Sequence, residues 1–325
     1  MRLSPRESLL GQRLEQLYRS YGPETSASDP IVFLARYDRA EDREVAGWIT
    51  TAFAYGRVET IQEHVGAILD VLGSRPAEVL AKISDPRRFV RERLPGFRHR
   101  FHGGADLAVL LFVIARSADR DGGLRGFFES EFREEERDVA GLLSRVVARI
   151  ESLDYRPVLG RRHLPQGSPA RFFFPDPASG SACKRWNLYL RWMVRRDRLD
   201  YGLWTGIPTS RLVIPTDTHI HLISRRLGLT RRRAANWRTA REITDALARL
   251  DPNDPVRFDY ALCRVGIFGI CRPEVRRSLC AQCLASDACP TGRRRVAAAA
   301  PGALRTPVDA NASRDWHAHD SIVMS

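Results

Sequence analysis

The chain of 325 residues carries 52 Lys and Arg against 39 Asp and Glu, a formal charge of +13, with 43% apolar and 9% aromatic residues. That length and apolar content fit an ordinary globular protein with one large or two modest cores. The charge makes a polyanion the expected partner, nucleic acid before an anionic membrane. The longest apolar run, LAVLLFVIA at 107–115, is too short to span a bilayer and suits a buried helix. The N-terminus, MRLSPRESLLGQRLEQLY, is an amphipathic helix interrupted by charges, with no secretory or membrane segment. A cytoplasmic location, with reduced thiols, is expected.

Apolar residues recur at three- and four-residue intervals along most of the chain, so the predicted fold class is all-α. In chain order the periodicity predicts helices over Leu9–Tyr21, Glu44–Ala54, Val58–Leu72, Ala105–Ala118, Glu136–Leu153 and Lys184–Arg195. Thr218–Leu227, Ala234–Leu250 and Pro255–Gly266 follow. Loops are expected at Gly22–Asp29, at Asp121–Gly123 and over the irregular Tyr155–Gly180. The runs RWMVRRDR (191–198) and RRLGLTRRR (225–233) read as faces for a phosphate backbone. From about Pro290 the composition turns to Arg, Ala, Pro, Asn, Ser and His without periodicity, so 291–325 reads as a disordered basic tail. Its His317 and His319 fit a solvated tail better than a metal site.

Four of the six cysteines, Cys271, Cys280, Cys283 and Cys289, form a C-x8-C-x2-C-x5-C loop. In a reducing compartment four thiolates so close in sequence point to a metal or an iron–sulfur cluster, with structural zinc the alternative and a disulfide the weakest reading. Cys183 and Cys263 read as packing residues. Upstream, VIPTDTHIH places Asp217 before a helical run, where Asp is a favoured N-cap.

Lysine occurs only at Lys82 and Lys184; every other basic residue is arginine. Lys184 lies in GSACKRWN, with Gly180, Ser181 and Asn187 around it. An amine can lose its proton and attack carbon, whereas a guanidinium stays protonated, so a lysine in an arginine-using chain has a chemical use that arginine lacks, though composition alone does not separate purpose from chance. The plain alternative is a lysine retained by chance, as at Lys82.

Taken together, the cysteine loop, the TDTH segment (216–219) and the G-x-A-x-K-x-x-N context of Lys184 resemble the endonuclease III branch of the helix-hairpin-helix DNA glycosylase superfamily. The first cysteine spacing is two residues longer than usual there, one glycine is replaced by Ala182, and RFFFPDPAS (171–179) stands where the hairpin turn would be. The long Lys184-to-Asp217 interval resembles the archaeal 8-oxoguanine glycosylase branch. The resemblance implies a two-lobed helix-hairpin-helix fold over 1–290 and a [4Fe–4S] cluster on the four cysteines. It also implies a bifunctional glycosylase and abasic-site lyase, with Lys184 as Schiff-base nucleophile and Asp217 as its carboxylate partner. The implied substrate is double-stranded DNA carrying an abasic site or a damaged base, an oxidised purine such as 8-oxoguanine or an oxidised pyrimidine, met by a monomer at the bacterial nucleoid. Gly180, Ser181, Arg185, His219, Arg225 and Arg226 would face DNA. Tyr55 or Arg57 would be the wedge, and Trp204, with Trp186, Trp192 and Tyr201, a candidate pocket wall, although core packing explains each of the four better. A non-catalytic iron–sulfur DNA- or RNA-binding protein is the alternative.

Overall fold

The computed structural model describes residues 2–27, 29–119, 122–274 and 276–296, and they are mostly helical. Two compact units emerge, each from discontinuous segments. Among the described residues no helix is long and apolar enough to cross a membrane.

The first unit comprises Met1–Thr25, Ala182–Asn187 and the chain from Leu212 onward. Its opening helix, Pro5–Ser20, starts four residues before the predicted Leu9 because Ser4 and Glu7 cap each other's backbone N–H groups and Pro5 presets the first turn. Leu10, Leu14 and Leu17 bury one stripe of that helix, which packs on the helix Asp259–Ile267. The helix Thr218–Leu227 forms as predicted and packs on the same Asp259–Ile267 helix. The two backbones approach so closely that a Cβ at Gly266 would stand 2.9 Å from the His219 side chain. The helix Trp237–Ala248 is shorter than predicted at both ends, since Asn236 caps it. Pro290–Val296 is a helix rather than the start of a tail. The rest of the expected tail, 297–325 with His317 and His319, lies outside the described residues.

The second unit comprises Ser26–Ser181 and Leu188–Arg211. Its core helix, Gly104–Ala118, carries the LAVLLFVIA run, with Leu107 to Ile114 all buried. Around it lie Ala40–Ala52, Val58–Leu72, Pro76–Lys82, Pro86–Arg93, Gly123–Glu129, Ala140–Glu151 and Arg156–Leu159. A two-stranded hairpin, Arg98–His99 with His102–Gly103, completes the unit. The stretch 85–179, which gives little signal in sequence beyond periodicity, supplies most of this structure.

An aromatic cluster of Trp48, Phe127, Phe128, Tyr189 and Trp204 fills the core of this unit. Glu44 is buried within it: its Oε1 accepts from Trp204 Nε1 at 2.6 Å, and its backbone carbonyl accepts from the Tyr189 hydroxyl at 3.1 Å. Trp204 is therefore a core residue and not the wall of a base pocket. Burial lifts the Glu44 carboxyl to about 7, against the opposing hydrogen bond from Trp204. An acid raised in the folded state holds its proton where the unfolded chain has lost it. Its contribution to stability is thus complete below about 4.5 and declines as pH rises to about 7. A shift of this size corresponds to about 3 kcal/mol. Glu44→Gln, which keeps the acceptor for Trp204, is expected to remove that decline. Urea midpoints of both proteins between pH 4.5 and 8 measure it; parallel curves would refute the assignment.

At the other end of the helix Lys184–Val194 lies a buried ionic group. Asp200 accepts from Arg191 at 3.1 Å and from Arg195 at 2.6 Å, and Asp197 accepts from Arg195 at 2.7 Å. Both arginines are only 4% exposed. Of the predicted backbone-binding run RWMVRRDR, only Arg196 and Arg198 are exposed; Arg191 and Arg195 are interior counter-ions.

Candidate functional site

The extended segment leading to Asp217 is fixed by its backbone. Ile214 N–H donates to Thr244 Oγ1 at 3.0 Å, and the Thr216 hydroxyl donates to the Ile214 carbonyl at 3.1 Å. Asp217 then caps the helix Thr218–Leu227, its Oδ1 accepting from Ile220 N–H at 2.9 Å. Its Oδ2 faces the Lys184 Nζ at 3.4 Å. One carboxylate thus caps the helix with one oxygen and meets the Lys184 amine with the other.

Lys184 opens its helix, and the turn before it is strained. Cys183 holds φ +48, a left-handed conformation that costs a non-glycine residue about 1–3 kcal/mol. The buried Asn187 ties the turn down, its Nδ2 donating to the Ala182 carbonyl at 3.1 Å and its N–H to the Cys183 carbonyl at 3.0 Å. A cation at the positive end of a helix is badly placed, and Asp217 offsets that. Burial works against ionisation of Asp217. The Lys184 charge, the Ile220 N–H and His219 outweigh it, and the carboxyl sits below its usual range. Lys184 remains 33% and Asp217 21% exposed in their side chains, so both are open to solvent. The arrangement is an accessible primary amine beside an ionised carboxylate, which is the equipment of amine–carbonyl chemistry.

The four cysteines Cys271, Cys280, Cys283 and Cys289 line one cavity of about 40 Å³ between the end of the helix Asp259–Ile267 and the helix Pro290–Val296. Burial pushes the Cys283 thiol to about 12, with the Ala285 N–H opposing and the three other thiols reinforcing the rise. Among the described residues no three Cys, His, Asp or Glu side chains converge as a ligand set around one point. The donor chemistry nonetheless fits a thiolate-bound group, since four sulfurs share the cavity with a single carboxylate, Glu274. Arg226 supports this loop: it donates to Cys271 Sγ at 3.1 Å, to the Pro273 carbonyl at 2.6 Å and to the Arg272 carbonyl.

Several predicted DNA contacts change their meaning. Arg226 is committed to the cysteine loop, and Arg185 is buried at 9%. His219 is half-buried against Gly266, while Arg225 is exposed. Gly180, in a left-handed turn, and Ser181 belong to the second unit. Arg57 is exposed, but Tyr55 is no free wedge: its hydroxyl bonds His102 Nδ1 and its ring packs among His99, Phe101 and Phe172. Sequence reasoning missed this aromatic face and the part played by Arg226. The FFF triplet at 172–174 was the available signal for the former.

A family model described as a protein of unknown function (DUF2400) matches residues 29–268. That match overturns the assignment to the helix-hairpin-helix glycosylases, since no glycosylase family model matches. The backbone before Lys184 runs through 3-10 turns at Pro169–Phe173 and Pro177–Ser179. No curated protein and no solved structure matches the chain.

Proposed function

We propose, from the premise that the chain belongs to the DUF2400 family, that it excises damaged bases from DNA and cleaves the resulting abasic sites. The observation that carries this reading is the 3.4 Å approach of Lys184 and Asp217, thirty-three positions apart, in a chain of charge +13. The Lys184 nitrogen forms a bond to the sugar C1′ as the glycosidic bond breaks and its electron pair leaves with the base. Asp217 opposes the positive charge developing on the sugar and takes the proton shed by the attached nitrogen. Opening of the sugar ring gives a Schiff base. Loss of a C2′ proton then expels the 3′ phosphate, and water releases the lysine. Oxidised purines, 8-oxoguanine first, and oxidised pyrimidines are the proposed bases.

Borohydride reduction in the presence of abasic-site DNA tests the reading: wild type is expected to be covalently trapped. Binding without trapping, and without excision from a panel of damaged duplexes, would replace it with a non-catalytic nucleic-acid-binding role.

Cys271, Cys280, Cys283 and Cys289 are proposed to hold a [4Fe–4S] cluster, which supplies structural cross-linking of the loop. Protein purified without oxygen is expected to be brown, with iron and acid-labile sulfide in equal amounts, both lost in Cys283→Ser. A colourless protein containing zinc and no iron would assign a structural zinc instead.

A further inference from the structure

Three rings from distant segments meet on the surface of the second unit. Among the described residues, Leu3, Phe101 and Phe172 are the large hydrophobic side chains left exposed, the two phenylalanines at 39% and 38%. Those two pack edge to face at 5.0 Å, and the Tyr55 ring lies 5.1 Å from Phe172 and 6.0 Å from Phe101. The FFF triplet divides its labour: Phe173 and Phe174 are buried, and Phe172 is turned outward.

The support beneath these rings is rigid. His102, fully buried, lies flat on Phe173 at 4.2 Å. Its Nε2 faces the Pro169 carbonyl at 2.9 Å and so carries the proton, which leaves Nδ1 to accept the Tyr55 hydroxyl. His99 likewise donates from Nε2 to the Tyr55 carbonyl at 3.0 Å, so His64 must donate to its Nδ1 at 2.9 Å. The chain of hydrogen bonds holds Tyr55 by both its hydroxyl and its backbone.

The rim is cationic. Arg57, Arg98 and Arg100 are exposed beside the ring-bearing residues in sequence; of the nearest acidic residues Glu59 is exposed, while Asp106 and Asp176 accept from the backbone N–H groups of Gly103 and Ala178. Arg100 crosses the Tyr55–Arg57 turn so closely that a Cβ at Gly56 would stand 3.3 Å from its Cδ.

We propose that Tyr55, Phe101 and Phe172 form a platform on which unpaired nucleobases of single-stranded DNA stack, with Arg57, Arg98 and Arg100 holding the phosphates. Apolar rings ringed by cations suit a ligand that is itself a stack of π-faces on a polyanion. A wholly apolar partner would leave the arginines unused. The platform does not rest on the chemistry of Lys184 and Asp217, and it binds whether or not that pair reacts.

The test is fluorescence anisotropy of the full chain with a labelled single-stranded oligonucleotide across a salt series, and with 2-aminopurine in the strand as a stacking reporter. Phe101→Ala and Phe172→Leu are each expected to weaken binding roughly 5- to 100-fold without altering the salt slope. Arg100→Gln is expected to reduce that slope by about one. Lys184→Arg is expected to bind as wild type does, which separates this proposal from the catalytic one. Since both rings also pack on one another and on Tyr55, the melting temperature of each variant is measured alongside, and a binding loss in a protein that remains folded at the assay temperature is the expected result. Wild-type affinity in both ring variants, or 2-aminopurine fluorescence that binding does not quench, would overturn the platform. Self-association that the ring variants abolish, in a protein that does not bind the strand, would assign the patch to a second copy of the chain.

Discussion

Lys184→Arg is expected to abolish borohydride trapping while leaving the protein folded. The guanidinium keeps the charge that faces Asp217, so the electrostatic partner of the 3.4 Å contact persists. What disappears is the nitrogen lone pair, because arginine stays protonated. A structural ion pair would tolerate this exchange, and a nucleophile cannot. Asp217→Asn is the complementary change. Asparagine caps helices as well as aspartate does and can still accept from Ile220 N–H, so the melting temperature should barely move. Its missing charge should lower the trapping rate by about 10²–10⁴. Because the Asp217 carboxyl lies below its usual range, wild-type trapping should not fall with acid through pH 4–5 on account of this group. Full trapping by Lys184→Arg would sink the catalytic reading at once.

Asp200→Asn is expected to cause the largest loss of stability of any single exchange considered. Arg191 and Arg195 each direct a guanidinium at this one carboxylate from positions 4% exposed. Removing the anion leaves two buried cations short of a counter-charge, a change that costs about 3–5 kcal/mol. A urea midpoint lowered accordingly, with an unchanged slope, is the expected result. Asp197→Asn should cost less, since Asp197 sits nearer the surface, with 10% of its side chain exposed. Burial opposes its ionisation, but Arg195 and the N–H groups of Asp200 and Leu199 hold the carboxyl at about 2. Its contribution is therefore present above the ordinary carboxylate pKa and is lost only as pH falls toward 2. Asp200→Asn protein that unfolds at the wild-type midpoint would mean that the two arginines find other partners.

The long helices were legible because their periodicity runs for several turns and their ends carry clear signals. Val58–Leu72 stops at Gly73, with φ +68, and Thr218–Leu227 runs from the Asp217 cap to Gly228, with φ +75. Pro76–Lys82 and Pro86–Arg93 escaped notice because two turns give too few repeats to establish a period, although each begins with a proline at its first position. The arginine run at 191–198 misled for a different reason. A charge run implies a solvated face, and only the carboxylate of Asp200 makes an interior one. Lys184 and Asp217 were individually readable, the first by its rarity and the second by its place before a helix. Their contact was not, since no local pattern encodes a distance across thirty-three residues. The residue matches behind the glycosylase resemblance are real but sparse, and the family model that matches 29–268 outweighs them.

The tight crossing at Gly266 gives the site a mechanical dependence on a residue that has no chemistry to offer. His219 lies two positions beyond Asp217 on the same helix, and a methyl group at 266 would press on its side chain. The displacement would pass along a stiff rod to the carboxylate that meets Lys184. Gly266→Ala is thus expected to shift the acid relative to the amine, from a position on a neighbouring helix. Tuning this pair by substitution would mean shimming that gap, and a search confined to polar residues would never visit it.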